Sequence, residues 1–484
     1  METKSMTTDV ENAVRVDPFG IPLHPPPTTD PLDPLNWSRK RKALILFIVC
    51  FSSFLSVFLT GTPIASFSLL EEQFDASYSE VNWTLAIPSL GLGTGALLLS
   101  KLADTWGRRP VLISTCAFTM LATGCTTVKS FSYEAYMAFR FLQGLGAGPC
   151  TVIGFGIIRD ISWEHERGFN VGLWVLSVDT GGIAGALLGG FTAMVDQYWA
   201  GYLVVIAYGL LLLLEVSLLP ETLYPRELVL EAAAAGRPLD SIRRTTMIDV
   251  WNIIKVPGGQ DFRPLQSLIS FINMWTYPKV VCGLFPFVFF QYWWNLSFMT
   301  MEPAAYENFA PQIQGLLFLG IIVGTIVAEL FLSGRLSDKI CSHFALKNNN
   351  ERTPEMRLYL VYPGAVIGAV GTILWGISID RHWHWMVGQV AFFLFAAGNQ
   401  ISNSAVSTFV FDCYPDHIID IMTFYIVIYN LAAFIEPWFI NYWVESVGYT
   451  WSFVTQGLIT LLVIPSYYMV QNLGRQMDKT MEIR

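Results

Sequence analysis

An all-α integral membrane fold, with twelve transmembrane helices in two pseudo-symmetric six-helix bundles, is predicted by three observations. Of 484 residues, 53% are hydrophobic and 14% charged, against roughly 25% charged in an average soluble chain. The apolar residues gather into about twelve stretches, each near the roughly 20 residues that a bilayer-spanning helix needs. A polar segment between two of them, Ser100-Lys-Leu-Ala-Asp104-Thr-Trp-Gly107-Arg108-Arg109, returns shortened between two others as Gly334-Arg335-Leu-Ser-Asp338-Lys339. That pairing points to one membrane unit used twice.

The predicted spans lie at about 42–66, 82–100, 110–128, 134–158, 168–194, 200–219, 267–295, 312–334, 356–378, 385–411, 418–443 and 448–470. Runs such as Leu210-Leu-Leu-Leu-Leu214 do not alternate, as the strands of a membrane β-barrel would. Residues 1–41 are rich in Pro and Asp, including His24-Pro-Pro-Pro27. A secretory signal would place its apolar core nearer the start, so this segment reads as a retained, disordered cytoplasmic tail and helix 1 as part of the mature protein. The longest connection, 220–266, opens Pro220-Glu-Thr-Leu-Tyr-Pro225 and then turns charged. It divides an N bundle, 42–219, from a C bundle, 267–470, and 471–484 reads as a second cytoplasmic tail.

Orientation follows from Lys and Arg. They precede helix 1 and fill the 2–3, 4–5, 6–7 and 8–9 connections, while the alternate connections hold only Lys129 and Arg381. Both termini are therefore expected in the cytoplasm. The net charge of −9 misleads, because Glu71, Glu72, Asp75 and Glu80 fall on the outer side, and nucleic-acid binding has no support. Seven scattered cysteines form no close outer pair and no Cys-x-x-Cys, so they read as packing residues, with no metal and no cofactor expected. His382 and His384 lack further nearby ligands. Asn82-Trp-Thr84 and Asn295-Leu-Ser297 match the glycosylation pattern on the outer side, both close to a helix end. The pairs Trp293-Trp294 and Trp383-His-Trp385 read as interface belts at outer helix ends.

Taken with the topology, the two Asp segments fall at matching cytoplasmic turns of the two halves, and here the chain resembles the major facilitator superfamily, in particular its fungal twelve-helix drug:proton antiporter branch. The family pattern at the 2–3 turn, Gly-x-Leu-Ala-Asp-basic-x-Gly-basic-basic, is matched at Leu102, Ala103, Asp104, Gly107, Arg108 and Arg109 and departs at Ser100 and Thr105. The second copy keeps Gly334, Leu336, Asp338 and Lys339. The resemblance implies a conformational latch at both turns. A carboxylate at a helix end accepts bonds from a neighbouring N-terminus, and the basic residues are expected to pair across the halves. Glu329, near the cytoplasmic end of helix 8, is expected as a latch partner of the 2–3 turn.

Helix 4 carries Arg140-Phe-Leu-Gln143-Gly144-Leu-Gly146-Ala147-Gly148, similar to the family's Arg and Gln-Gly pattern, which implies an influence on proton movement. A bilayer-embedded Arg costs about 2.5–3.5 kcal/mol on insertion scales and so needs a wet cavity or a partner; the other reading has it snorkel to the headgroups. Helix 5 resembles the antiporter pattern Gly-x8-Gly-x3-Gly-Pro-x2-Gly-Gly at Gly172, Gly181, Gly185, Gly189 and Gly190, with Ala186 in the Pro position. Gly181, Gly185 and Gly189 form one stripe that lets another helix approach closely.

Asp179, near the middle of helix 5, stands first among the candidates for proton coupling or substrate binding. A carboxyl group there either carries a proton or holds a cation, and the alternative is a structural pair with a facing helix. Lys279 and Glu436 are expected inside helices 7 and 11, and Glu215 and Asp412 at the solvated cytoplasmic interface. Asn399, Asn403 and Ser407 recur every four residues and share a face of helix 10, which either hydrogen-bonds a ligand or ties two helices.

No Gly-x4-Gly-Lys-Ser/Thr sequence for ATP is present, and no nucleophile elbow stands out, so neither an enzyme nor an ATP-driven pump is expected. The resemblance implies a monomeric, proton-driven exporter of a small organic compound, a drug or secondary metabolite, at the plasma membrane. Its partners are then a small-molecule substrate, protons and the bilayer. Two alternatives stay open: a proton-coupled importer of organic cations or polyamines, and a nutrient-sensing receptor on a transporter scaffold. A sensor would add a long signalling tail, and the sequence ends soon after helix 12.

Overall fold

The computed structural model describes residues 30–196, 198–224, 264–347, 353–414 and 417–482, together with 25, 28, 226, 229–231 and 235. At some of these, 334, 335 and 338 included, only the backbone is described. Among the described residues all regular structure is helical. The first half comprises α1 (Arg39–Gly61), α2 (Tyr78–Leu99), α3 (Arg108–Thr126), α4 (Tyr133–Ile161), α5 (Glu164–Ala193) and α6 (Trp199–Leu218). The second comprises a broken α7, from Pro264–Asn273 to Asn295–Ala305, then α8 (Pro311–Leu332), α9 (Val361–Asp380) and α10 (Trp385–Cys413). Ile418–Thr460 holds α11 and the start of α12, which continues as Val463–Glu482.

Local chemistry sets the starts and breaks. Ser77 and Glu80 form a capping box on α2, Glu80 Oε2 accepting from Ser77 N at 2.8 Å. Gly107 (φ 104°, ψ 155°) makes the sharp turn between the short helix Leu102–Trp106 and α3, a conformation open to glycine and costly for other residues. Gly448 (φ 81°, ψ 167°) likewise separates α11 from α12. Beyond it, Asp380 at the end of α9 accepts from Thr450 N at 2.7 Å and Tyr449 N at 3.3 Å, capping α12 from a neighbouring helix.

Among the described residues eight helices are long and apolar enough to cross a bilayer, nine with bent α7 counted as one span. One of the eight, 418–472, contains the fold-back at Gly448 and therefore two spans. α3 and α10 fall short of the test because Thr, Ser, Asn and Gln interrupt them.

Three expectations are corrected. α7 does not end at 295 but runs on to Ala305, so Trp293 and Trp294 sit within the span and not in an outer belt, Trp294 being buried. Residues 30–37 are ordered: Asp33 is fully buried, caps Leu35 N at 3.0 Å, and takes Thr28 Oγ1 at 2.7 Å and Arg226 Nη2 at 3.0 Å. Tyr224 donates to Asp30 at 2.9 Å, so this part of the tail clasps the start of the inter-bundle connection. At the other end, helix continues to Glu482 where a tail was expected. Most of 1–27 and of 225–263 lies outside the described residues.

The halves repeat one packing scheme. α1 packs on α5, α2 on α4 and α3 on α6; α7 packs on α11, α8 on α10 and α9 on α12. They meet along α2 with α11 and along α5 with α8 and α10. In lipid, where apolar burial drives little association, close van der Waals contact carries such packing. In the second half Phe298, Trp375, Phe395 and Phe453 interlock, with ring centroids 4.3 Å apart for Phe298 and Phe395 and 4.5 Å for Trp375 and Phe453. In the first half, Gly181, Gly185 and Gly189 lie directly against the backbone of α1 at Phe54, Phe58 and Thr62. A side chain at Gly185 would press on Phe58 O and Thr62 N. Gly185→Val is therefore expected to cost about 1–3 kcal/mol or more, read as a lower thermal midpoint and loss of monodisperse protein.

Candidate functional site

The centre of the site depends on the break in α7. Pro278 and Pro286 remove helix hydrogen bonds, and between and after them run two π-helical turns, Val280–Leu284 and Phe287–Gln291, and a 3-10 turn, Tyr292–Trp294. The first part of α7 is bent by 80° from the rest. The irregular stretch delivers Tyr292, fully buried, to Asp179 on α5, to which its hydroxyl donates.

Asn403 on α10 donates to both oxygens of Asp179, at 3.2 and 3.0 Å, and its own carbonyl accepts from Tyr425 at 3.1 Å and Ser407 at 3.3 Å. Tyr292 packs on Tyr429 with centroids 4.5 Å apart. Asp179 thus belongs to the N half by chain and to the C half by hydrogen bonding. Among the described residues no Lys or Arg forms an ion pair with it. What balances the carboxyl is one hydroxyl and one amide, making three hydrogen bonds, and whatever enters the site.

The expected face of α10 divides. Asn403 and Ser407 join the Asp179 network, while the side-chain oxygen of Asn399 has no hydrogen-bond partner. Gln400, unremarked in the sequence, donates to Glu329 at 2.7 Å, and Gln291 donates to Ser402 at 3.0 Å. Glu436 is fully buried between α11 and α7, accepting from Ser297 at 3.0 Å and Thr300 at 3.2 Å. Lys279 is corrected: it pairs with Glu355 at 2.8 Å just ahead of α9 and so belongs to the basic side of the molecule, not to the centre. Glu215 is corrected too, being fully buried beside Cys116 rather than solvated.

Glu302 was missed by the sequence reading. It is fully buried on α7, and neither carboxyl oxygen has a hydrogen-bond partner; the apolar continuation Leu296-Ser-Phe-Met-Thr-Met301 was the signal that the span went on. The longer span also buries Asn295, and Asn82 is wholly enclosed. Neither amide is open to glycan transfer in this conformation, which corrects both glycosylation expectations.

On the basic side, Asp104 is half-buried in the short helix before Gly107. Burial pushes its carboxyl up from the ordinary carboxylate range, and the nearby Arg108 opposes that. The expected pairing of Arg108 and Arg109 across the halves is corrected: among the described residues neither makes one. Arg108 pairs with Asp160 at 3.1 Å, Arg109 donates to Val216 O at 2.6 Å, and Glu221 caps α3 by accepting from both their backbone N–H groups at 3.1 and 3.2 Å. The pairs that do cross are Lys101 with Asp420, at 2.8 Å, and Arg167 with Asp412, at 3.3 Å. Arg357 holds Asp412 from its other oxygen at 2.7 Å. Glu329 faces Gly172, Ser333 and Gln400 and not the 2–3 turn, a further correction. Gly334 begins the helix Gly334–Lys347; the side chain of Asp338 lies outside the described residues.

Across the molecule from these pairs, Gly190 meets Pro311 and Gly315 meets Leu187. The halves thus touch along the seam on both sides of Asp179.

The family model described as Major Facilitator Superfamily matches residues 47–435. This chain is a major facilitator superfamily transporter. As such it moves small molecules across a membrane that it crosses many times, and it is not an enzyme. Fungal relatives agree: the "Probable efflux pump mfs2" of Aspergillus flavus is 26% identical over 79% of this chain and 90% of its own. The "Probable drug/proton antiporter YHK8" of Saccharomyces cerevisiae is 23% identical over 91% of this chain and 85% of its own. Among solved structures, the proton:xylose symporter XylE superposes with a TM-score of 0.66 at 14% identity, covering 90% of this transporter and 96% of XylE, a likeness of fold.

Proposed function

We propose that this transporter exports a small organic compound in exchange for protons, by rocking of its two bundles about the seam at Asp179. The observation that carries the reading is that Asp179, on α5 of one half, is bound by Tyr292 and Asn403 of the other. A buried carboxyl with no fixed cation beside it exchanges a proton for a positively charged or hydrogen-bonding cargo, and a change of either partner is felt by both halves. The names of the fungal relatives favour efflux. The proposed setting is the plasma membrane, with the basic side and both termini in the cytoplasm.

In this cycle the 2–3 turn, with Asp104, Gly107, Arg108 and Arg109, and its counterpart at Gly334 and Asp338 act as the latch. Asp104→Asn is expected to slow transport several-fold while leaving substrate affinity within about twofold, which radiolabelled flux set beside equilibrium binding measures. The rings of Tyr292, Tyr425 and Tyr429 around one carboxyl also suit an organic cation, and so favour cation import as the second reading. Accumulation of a cationic dye in cells making the transporter decides between them. Lower accumulation, reversed by a protonophore, supports export; higher accumulation overturns it in favour of import.

A further inference from the structure

Arg140 does not snorkel. It is 3% exposed and turned inward near the end of the N bundle opposite the basic side. Its Nε–H and one Nη2–H donate to Thr84 O at 3.2 and 2.8 Å, and its Nη1 group donates to Leu59 O at 2.9 Å and Gln143 Oε1 at 2.8 Å. A guanidinium carries five N–H donors; four are used, and one on Nη2 is left. All three acceptor atoms are neutral. Among the described residues no carboxylate pairs with Arg140, so a full positive charge lies buried without a counter-charge, an arrangement that costs several kcal/mol if nothing balances it.

Beside this guanidinium is a small polar cavity of about 40 Å³, lined by Arg140, Gln143, Ser66, Tyr136 and Tyr198 among others, with no carboxylate in its wall. Ser66 is 2% exposed, and its hydroxyl has no hydrogen-bond partner. Tyr198 accepts from Gln73 at 3.1 Å, which leaves its own O–H to be donated. The cavity is therefore lined by Arg140, whose guanidinium has one N–H unused, and by Ser66 and Tyr198, each with a hydroxyl hydrogen left to donate. One water needs roughly 10–15 Å³ on this measure, so there is room for one monatomic ion with a water or two and none for an organic anion.

We infer that this cavity is a binding site for a single halide, chloride under ordinary conditions, that neutralises Arg140 within the N bundle. It lies apart from Asp179 and needs no assumption about what is carried or in which direction. Charge-assisted hydrogen bonds from Arg140 and Ser66 supply the affinity, and size excludes larger anions.

The test is the thermal midpoint of the full-length purified protein, titrated with sodium chloride or sodium bromide against sodium gluconate at constant ionic strength. Wild type is expected to show a saturable rise with either halide and none with gluconate. Ser66→Ala removes a hydroxyl that makes no bond within the protein, so folding is retained, and the half-saturating concentration is expected to rise about tenfold. Ser66→Val fills the cavity and is expected to abolish the response. Equal midpoints in halide and gluconate for wild type would show that water alone fills the cavity, and an equal halide response in all three proteins would show a bulk salt effect. Either result overturns the inference.

Discussion

Asp179→Asn is expected to lower proton-dependent transport by at least tenfold in initial rate and to leave a folded protein. Asn has nearly the size of Asp and still accepts from Tyr292 through its carbonyl, so the seam keeps its shape. The amide carries no charge in either state of the cycle, so the position can neither release a proton nor balance a cation. A residue acting only as packing would give the opposite result, with transport kept and the thermal midpoint lowered. Flux into inside-out vesicles with an imposed pH gradient separates these outcomes: in the variant the flux becomes insensitive to the gradient. Tyr292→Phe is the graded control, since it removes one donor to Asp179 and keeps the ring packed on Tyr429. It is expected to lower the rate less than Asp179→Asn.

Asp412→Asn is expected to open the seam on the basic side. Asp412 is held by Arg167 of the N half and Arg357 of the C half, with side-chain exposures of 14%, 8% and 8%, so screening by solvent is slight. Removing the carboxylate leaves two guanidinium groups facing each other without a shared anion. Breaking one partner out of a buried ion pair costs about 3–5 kcal/mol, and even 1.4 kcal/mol shifts a two-state population tenfold. In this structure the contact ties the two halves together, so the loss falls on this state and the equilibrium is expected to move toward opening. Spin labels at Trp106 and Tyr359, both exposed and on opposite halves of the basic side, are expected to report a longer and broader distance distribution in the variant. An unchanged distribution would show that Lys101 with Asp420, at 2.8 Å, closes this side alone.

Much of the fold was legible because a bilayer imposes length and polarity on each helix separately. The capping box at Ser77 and Glu80, the turn glycine at Gly107 and the glycine stripe of α5 are local patterns, and each has a local cause. α7 was misread for a physical reason as well. Prolines and π-helical turns lengthen the path through the membrane, so a stretch judged by about 20 apolar residues ends at 295, with Asn295 at its outer end and Glu302 beyond it. Lys279 was placed in the centre because apolar sequence surrounds it, although its charge is held by Glu355, 76 residues away.

The sequence by itself determined the solvent, the helical class, the duplicated halves, the family and the place of Asp179 as a charge in an apolar span. These follow from how many residues of each kind lie within one helix length. Only the tertiary structure decided what each charge meets. Tyr292 is 113 residues from Asp179 and Asn403 is 224, and Arg140 takes its acceptors from α1 and α2. A buried polar group is stable only beside a partner, and in this chain those partners come from helices far apart in sequence that meet once both bundles have closed on each other.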